Sequence, residues 1–260
     1  HHKFSVKKFK RALSAWQNAL AGRAWNALYL ENHDHARVIS RYGSERYRSE
    51  SGKALAAAYM LLQGTPFIYQ GQEIGMTNLR LPSADMYPDV MTQGNVKLAS
   101  RWLSPKRVLR LTQDTARDSA RTPMQWTGGK NAGFTEGTPW FYVNENCRSV
   151  NVEAEEADPD SLLNFYRKLI AFRKSDPIVR CGTYTELLPQ SPNFYVYSRE
   201  FEGRKLLVIA SLVEKETYFT CPEGFTLTDG ELIFKNHDLN VVVNNAFTAR
   251  PYELRVYLFE

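Results

Sequence analysis

The feature that most constrains the fold is an alternation of two helices and two short apolar runs in the first 70 residues. Apolar side chains recur at helical spacing over residues 5–20, and residues 51–63 carry a second helical pattern that Gly64 ends. A short apolar run follows each helix, at residues 25–30 and 67–69, and each is predicted to be a strand. The first run has the composition of a strand that is buried on both faces. Because strands that alternate with helices form parallel sheets, these residues are predicted to belong to an α/β domain.

The pattern changes near Pro177. A helix is predicted over residues 158–174, with Asp158 as its N-cap, Pro159 at its first position and Pro177 ending it. Short alternating runs separated by turn signals then predict an all-β module of about 80 residues. The predicted strands are residues 184–187, 194–197, 206–211, 216–219, 241–243 and 253–258.

A long insertion completes this organisation. Residues 78–153 show little periodicity and far exceed the usual connection of about 4–6 residues, so they are predicted to form a subdomain or a functional lid. The predicted domains are therefore residues 1–177, an α/β domain that contains this insertion, and residues 178–260, the β module.

Composition excludes several classes of protein. With 43% hydrophobic and 13% aromatic residues the chain is globular, and no apolar stretch approaches the roughly 20 residues of a membrane span. The first eleven residues are basic without a following apolar segment, and the three cysteines form no C-x-x-C pair, so a cytoplasmic location is expected. The net charge of +5 comes without a recognition motif, so nucleic acid is not an expected partner.

Polar residues directly follow the first predicted strand. Residues 31–34 read Glu-Asn-His-Asp, and Arg37 follows on the same loop. A histidine beside a carboxylate can bind vicinal hydroxyls, because the imidazole N–H donates and the carboxylate accepts at fixed positions. Equally, these residues could only cap the next helix, and the pattern alone leaves both interpretations open.

Two further segments are candidates for chemistry. Residues 70–76, QGQEIGM, follow the second predicted strand, and their glycines indicate tight turns. Residues 118–126, DSARTPMQW, offer Arg121, Gln125 and Trp126, which suit a polyhydroxylated ligand about as well as a structural loop. Since metal-ligand spacing, a P-loop and a G-x-S-x-G motif are all lacking, neither a metal nor a cofactor is predicted.

In combination these segments carry a family resemblance. ENHDHARV from Glu31, GTPFIYQGQEIGMTN from Gly64 and ARTPMQW from Ala120 resemble the α-glucosidase branch of the α-amylase superfamily, which includes oligo-1,6-glucosidases and dextran glucosidases. NAGFT from Asn131 and TPW from Thr138 also match. The resemblance extends from about residue 3 to about residue 180 and weakens in the β module.

The resemblance implies a fold class of α/β plus all-β. The first domain is then the later part of a (β/α)8 TIM barrel, about strands 7 and 8 with helices 6 to 8, and an antiparallel β-sandwich domain follows. The family's nucleophilic aspartate and acid/base glutamate belong to earlier strands. This chain is therefore expected to be a C-terminal fragment, inactive alone, whose open barrel edges are covered by the N-terminal barrel portion or by self-association.

The resemblance also implies roles for individual residues. Asp34 matches the carboxylate that stabilises the transition state and holds the 2- and 3-hydroxyls of the glucose. His33 and Arg121 match substrate-binding residues, and Arg37 is a further substrate-binding candidate. The expected reaction is retaining hydrolysis of terminal α-linked glucose from short gluco-oligosaccharides of the isomalto type. His35, Ala36 and Gln72 depart from the branch's usual residues.

Alternative functions stay open at this point. A sucrose isomerase or a trehalose synthase would share the same intermediate. A non-catalytic barrel relative, such as the ectodomain of an amino-acid-transporter heavy chain, would lack sugar-site residues, and the β module could be an independent carbohydrate-binding domain. The sequence does not determine the preference between α-1,6 and α-1,4 bonds.

Overall fold

The computed structural model describes residues 4–260, which divide into two compact units. The first unit comprises Leu30–Glu45 and Ile68–Asn164, and the second comprises residues 4–29, Arg46–Phe67 and Phe165–Glu260. Residues 1–3, which begin the first predicted domain, lie outside the described residues. The domain boundary at residue 177 stays a prediction.

Helices and strands alternate first, and strands dominate after residue 182. Over residues 4–260 the α-helices are α1 (Val6–Leu20), α2 (Val38–Tyr42), α3 (Arg48–Met60), α4 (Val90–Ala99), α5 (Pro105–Thr115), α6 (Val152–Ala157), α7 (Leu162–Ser175) and α8 (Pro177–Cys181). The strands are β1 (Ala27–Leu28), β2 (Thr65–Pro66), β3 (Thr183–Leu187), β4 (Phe194–Phe201), β5 (Arg204–Ser211), β6 (Thr217–Thr220), β7 (Glu231–Lys235), β8 (Ala246–Ala249) and β9 (Leu254–Phe259).

The first two strands form the predicted parallel pair, but both are shorter than expected. β1 pairs with β2, and the second strand lies at Thr65–Pro66 instead of residues 67–69. Pro66 has no N–H, so Thr65 and Phe67 on either side of it donate to Asn26 O and Leu28 O, each at 2.7 Å. Proline is therefore compatible with this strand.

The prediction that the first strand is buried on both faces is wrong. Leu28 is buried, whereas Ala27 and Tyr29 on either side of it are exposed, as is Trp25. Successive side chains of a strand point to opposite faces, so one face of this pair is covered and the other is open.

α3, which precedes β2, is buried on all sides from residue 51 onward. Residues 51–60 of α3 are all buried, which is why the helix lacks a polar stripe. Arg173 of α7 satisfies the carbonyls at its C-terminal end, donating to Met60 O at 2.5 Å, to Leu62 O at 2.7 Å and to Gly64 O. A guanidinium suits this position because the last carbonyls of a helix have no partner within the helix.

The β module is an antiparallel sandwich. One sheet has the strand order β3-β4-β5-β9-β7, and β6 pairs with β8. Phe194 and Ile209 of the larger sheet pack with Phe219 and Phe247 of the smaller pair in one core. The sequence predicted most of these strands but missed β7 and β8, while residues 241–243 contribute only an isolated bridge between Val243 and Ala246.

The insertion is more ordered than its sequence indicates. It contains α4, α5 and the start of α6, and a small core in which the Tyr87 hydroxyl donates to Leu79 O at 2.8 Å and accepts from Leu81 N at 3.0 Å. α7 begins at Leu162, not at Pro159, because the Ser161 hydroxyl accepts a hydrogen bond from Asn164 N at 3.1 Å. The predicted N-cap at residue 158 is therefore wrong.

Candidate active site

A buried ion pair positions the loop that carries the ENHD motif. Arg37 Nη1 lies 3.0 Å from Glu31 Oε1, and both side chains are fully buried. Glu31 also accepts from Val38 N at the start of α2. Burial raises the pKa of Glu31, and the positive charge of Arg37 opposes that shift.

Arg37 joins three segments of the first unit. Besides pairing with Glu31 it donates to Gln70 O at 2.6 Å and to Ala120 O at 3.3 Å. This burial contradicts the prediction that Arg37 binds substrate, because its guanidinium contacts protein acceptors and is closed to solvent. Arg37 instead holds the ENHD, QGQEIGM and DSARTPMQW segments together.

His33 and Asp34 lie at the surface. Their side chains are 66% and 46% exposed, and His33 Nε2 lies 3.2 Å from Asp34 Oδ2. The backbone N–H of Asp34 donates to Asn32 Oδ1 at 2.8 Å, a local turn that fixes where the carboxylate projects. The pair is therefore positioned by the loop and open to a ligand.

Asp34 belongs to a closed network of two aspartates and two arginines, in which each arginine pairs with both aspartates. Arg121 donates to Asp34 Oδ1 at 3.0 Å and to Asp89 Oδ2 at 2.8 Å. Arg117 repeats this pattern, with 2.9 Å to Asp34 Oδ1 and 2.8 Å to Asp89 Oδ1. Arg121 also donates to His33 O at 3.0 Å, so the predicted residues Asp34, His33 and Arg121 are in direct contact.

Asp89 is the buried member of this network. Its side chain is 7% exposed, and hydrogen bonds from Arg117, Thr92 N and Arg121 hold its pKa well below the usual range. It also caps α4, accepting from Met91 N at 3.0 Å and from Thr92 N at 3.1 Å. One carboxylate therefore links the N-terminus of α4 to both arginines beside Asp34.

Asp89 and Arg117 were not predicted from the sequence. Residues 90–113 contain no acidic residue, and Asp89 and Asp114 are the carboxylates that border this basic stretch. Arg117 lies four residues before Arg121 in the same 3₁₀ helix, Arg117–Arg121. Both signals were present, but sequence alone does not show that the two arginines share the same two acceptors.

The QGQEIGM segment turns tightly, as its glycines indicated. Gly71 has φ of +86°, and Met76 N donates to Gly71 O at 2.9 Å. A Cβ atom at Gly71 would lie 2.2 Å from Met76 Sδ, so glycine is required for space as well as for conformation. Burial raises the pKa of Glu73 in the same turn.

Gln125 serves the structure of its own loop. Its side chain is buried and its amide donates to Asn146 Oδ1 at 3.1 Å and to Val150 O at 2.5 Å, whereas the neighbouring Trp126 is half-exposed.

Within residues 4–260, histidine, cysteine and acidic side chains form no group of three or more that could hold a metal ion. No helix among these same residues is long and apolar enough to cross a membrane.

One known protein family matches most of this chain. The sequence model of the alpha-amylase catalytic domain matches residues 1–182, well over half of the chain. The chain therefore belongs to the alpha-amylase family, as its motifs predicted.

Several relatives match nearly the whole of this chain. It is 42% identical over 258 residues to the oligo-1,6-glucosidase of Parageobacillus thermoglucosidasius, covering 98% of this chain and 46% of that protein. The crystal structure of Bacillus licheniformis trehalose-6-phosphate hydrolase superimposes with a TM-score of 0.93 at 38% identity, covering 99% of this chain and 48% of that one. The isomaltulose synthase of Klebsiella sp. LX3 gives a TM-score of 0.91 at 32% identity, covering 99% and 47%.

The chain spans about half the length of these relatives. It matches the C-terminal half of alpha-amylase-family glycosidases, a part of the TIM barrel followed by an antiparallel sheet domain. The predicted fold class is confirmed.

Proposed function

We propose that this chain forms the C-terminal half of a retaining α-glucosidase that releases terminal α-linked glucose from short gluco-oligosaccharides. Membership of the alpha-amylase family and 42% identity to an oligo-1,6-glucosidase support the reaction class. The contact of Asp34 with both His33 and Arg121 on an exposed surface is the observation that carries the proposal.

In this proposal Asp34 stabilises the transition state. Glycoside hydrolysis passes through an oxocarbenium-like state, and a fixed carboxylate that faces the sugar favours its positive charge and accepts hydrogen bonds from ring hydroxyls. His33 contributes an imidazole beside that carboxylate, and Arg121 binds the glucose and keeps Asp34 in place. The network restricts Asp34 before any ligand binds, which reduces the cost of ordering it.

Asp34 does not complete the reaction by itself. Retention requires a nucleophile and an acid/base carboxyl roughly 5 Å apart. Asp89 is the other carboxylate in this network, but it is almost fully buried and its oxygens are occupied by Arg117 and Arg121. We therefore expect the 260-residue chain to show no turnover of isomaltose or 4-nitrophenyl α-glucoside.

A chimeric enzyme tests the proposal. This chain would replace the matching 46% of the Parageobacillus oligo-1,6-glucosidase, and soluble protein would be assayed with isomaltose. We expect release of glucose with retained α configuration, followed by NMR. A folded chimera that binds isomaltose without cleaving it would contradict the proposal.

The similarity to isomaltulose synthase supports one alternative, an enzyme that returns the glucosyl group to a sugar acceptor. Incubation of the same chimera with sucrose separates the two functions. Free glucose and fructose indicate hydrolysis, whereas a rearranged disaccharide as the main product indicates isomerisation.

A further inference from the structure

An apolar stripe runs along α4 and the turn that follows it. Met91, Leu98 and Trp102 follow each other at spacings of seven and four residues, which places them on one face of a helix. They are 57%, 58% and 84% exposed, whereas Thr92 and Val96, the buried residues of α4, lie on another face. α4 therefore packs on the first unit through one face and presents apolar side chains to solvent on a second.

Trp102 lies at the end of the hairpin that α4 and α5 form. Trp102 N and Leu103 N donate to Ala99 O at 3.0 and 2.9 Å, and Pro105 begins α5 two residues later. Asp89, which contacts both arginines of the candidate active site, caps the opposite end of α4. Since the 10 residues of α4 span about 15 Å, residues 97–107, the hairpin tip, lie away from that site.

The hairpin is uniformly basic. Residues 90–113 contain five lysine and arginine residues and no acidic residue. Four of the five lie in the tip, and all four side chains are exposed: Lys97, Arg101, Lys106 and Arg107. Asp85 lines a depression together with Lys106, but no carboxylate within residues 4–260 forms an ion pair with any of the four. The positive charge of the tip is therefore not neutralised by the described part of the chain.

Apolar and basic side chains are neighbours on this surface. Leu103 and Leu111 line one depression together with Trp102, and they line a second depression together with Arg107 and Arg110. A partner that covers the apolar stripe would thus meet the cations as well.

The partner must combine apolar and anionic groups. A nucleic acid supplies phosphates but leaves the apolar stripe without a counterpart. A protein would need a fitted pocket for Trp102 and a carboxylate opposite each cation. A membrane interface with anionic lipids supplies both kinds of group, because tryptophan and leucine enter the headgroup region and mobile headgroups adjust to the positions of the cations.

We propose that the hairpin tip binds the surface of a membrane that contains anionic lipids. Trp102 and Leu98 enter the headgroup region, and the four cations of the tip contact anionic headgroups. The candidate active site stays open to water, because it lies at the other end of the hairpin. This inference does not depend on the proposed function, since no substrate and no reaction enters it.

Flotation of the full 260-residue chain with lipid vesicles tests this inference. The probes are vesicles of phosphatidylcholine alone and vesicles of equal parts phosphatidylcholine and phosphatidylglycerol. One cation near an anionic surface changes membrane partitioning by about fivefold, so we expect at least about tenfold stronger binding to the anionic vesicles, weakening as salt rises. Lys106→Gln combined with Arg107→Gln should lower that binding by about tenfold or more.

Lys7→Gln combined with Lys8→Gln is the matched control. It removes the same charge from exposed positions of α1 in the second unit, and it should bind anionic vesicles like the parent chain. All four replaced side chains are exposed, so both double variants should keep the parental melting temperature. An equal loss of binding in the two double variants would overturn the inference, as would equal binding, or none, of the parent chain to the two kinds of vesicle.

Tryptophan fluorescence tests whether the tip enters the lipid. Brominated lipid in the anionic vesicles quenches tryptophans that reach it, so the fluorescence of the parent chain should fall on binding. Trp102→Phe keeps an aromatic ring and should still bind, but it should lose most of this quenching. Unchanged quenching in Trp102→Phe would show that a different tryptophan meets the lipid, and the assignment to the hairpin tip would be wrong.

Two further results would replace the lipid by another partner. If soluble polyglutamate displaces the anionic vesicles and Trp102→Ala binds them like the parent chain, the tip recognises charge alone and its partner is an acidic macromolecule. If the Lys106 and Arg107 double variant converts a dimer to a monomer in sedimentation and leaves vesicle binding unchanged, the tip is a contact between two copies of the chain. Either result overturns the inference.

Discussion

At the scale of single residues, the first unit contains two sets of ion pairs, of which one supports the loop and the other is open to a ligand. Glu31 and Arg37 pair where water is excluded, so each is needed to neutralise the other. Asp34 is paired with Arg117 and Arg121 but remains about half exposed. The buried set therefore fixes the loop, while the exposed set presents a carboxylate to a ligand.

Removal of Arg37 tests the supporting role. Arg37→Met leaves Glu31 as a buried charge without its partner, and we expect the free energy of unfolding to fall by about 3–5 kcal/mol in urea titrations. Glu31→Gln combined with Arg37→Met should recover much of this loss. A loss below about 1 kcal/mol in the single variant would show that the pair does not hold the loop.

Removal of the charge of Asp89 has a pH-dependent effect. The folded-state pKa of Asp89 is depressed, so its stabilisation is present above its unfolded pKa of about 3.9 and is lost as pH falls towards the folded value. Asp89→Asn should lower the free energy of unfolding by about 1–3 kcal/mol at pH 7. The difference between parent and variant should shrink below about pH 5, as followed by urea unfolding across pH.

An equal difference between parent and variant at neutral and acidic pH would contradict the charge argument for Asp89. Ser83→Ala provides a comparison, because Ser83 caps the 3₁₀ helix Ala84–Met86 and its side chain is not ionisable. Its effect on stability should not follow the titration of a carboxyl.

At the scale of elements, the periodicity of apolar residues predicted helices and strands that bury one face, and it missed elements that do not. α1 forms where the apolar pattern predicted a helix, but its buried residues are Val6, Lys10, Ser14 and Gln17, and Trp16 of the apolar stripe is exposed. Most strands of the sandwich follow their apolar patterns. α4 was missed although it is a regular helix, since Val90 and Met91 are exposed apolar residues that obscure its pattern. β7 was missed for a similar reason, because none of its residues is fully buried.

Some residues of the candidate site were likewise predicted from the sequence, and others were misassigned or missed. Motifs predicted Asp34, His33 and Arg121 as site residues, and the structure brings the three into contact, while their roles stay a prediction. Arg37 was misassigned because a motif does not reveal burial, and Asp89 was missed because its contacts with Arg117 and Arg121 span about 30 residues of sequence. Long-range pairing of this kind is determined by the folded chain.

Two glycines, Gly71 in the first unit and Gly22 in the second, distinguish steric overlap from conformational strain. Gly71→Ala places a Cβ against Met76 at a positive φ, whereas Gly22→Ala has a positive φ in open space. We expect about 1 kcal/mol of destabilisation for Gly22→Ala and clearly more for Gly71→Ala, measured by thermal unfolding. Equal losses would mean that Met76 moves aside without cost.

At the scale of the whole molecule, exposed aromatic side chains lead us to expect a further contact of the chain. Trp16, Trp25, Tyr29 and Phe67 of the second unit are each about half exposed. Since large exposed apolar surfaces favour association, we expect the purified chain to self-associate with rising concentration in sedimentation velocity. A monomer that unfolds cooperatively at every concentration would contradict this expectation.

The chimera provides the sharpest test of whether Asp34 acts on the glucose of an α-glucosidase. Asp34→Asn keeps the side chain's size, so kcat should fall by about 100-fold or more while the melting temperature changes little. Asp85→Asn, on an exposed residue of the same unit, is the matched control and should keep parental kcat. Parental kcat in a folded Asp34→Asn chimera would contradict the account.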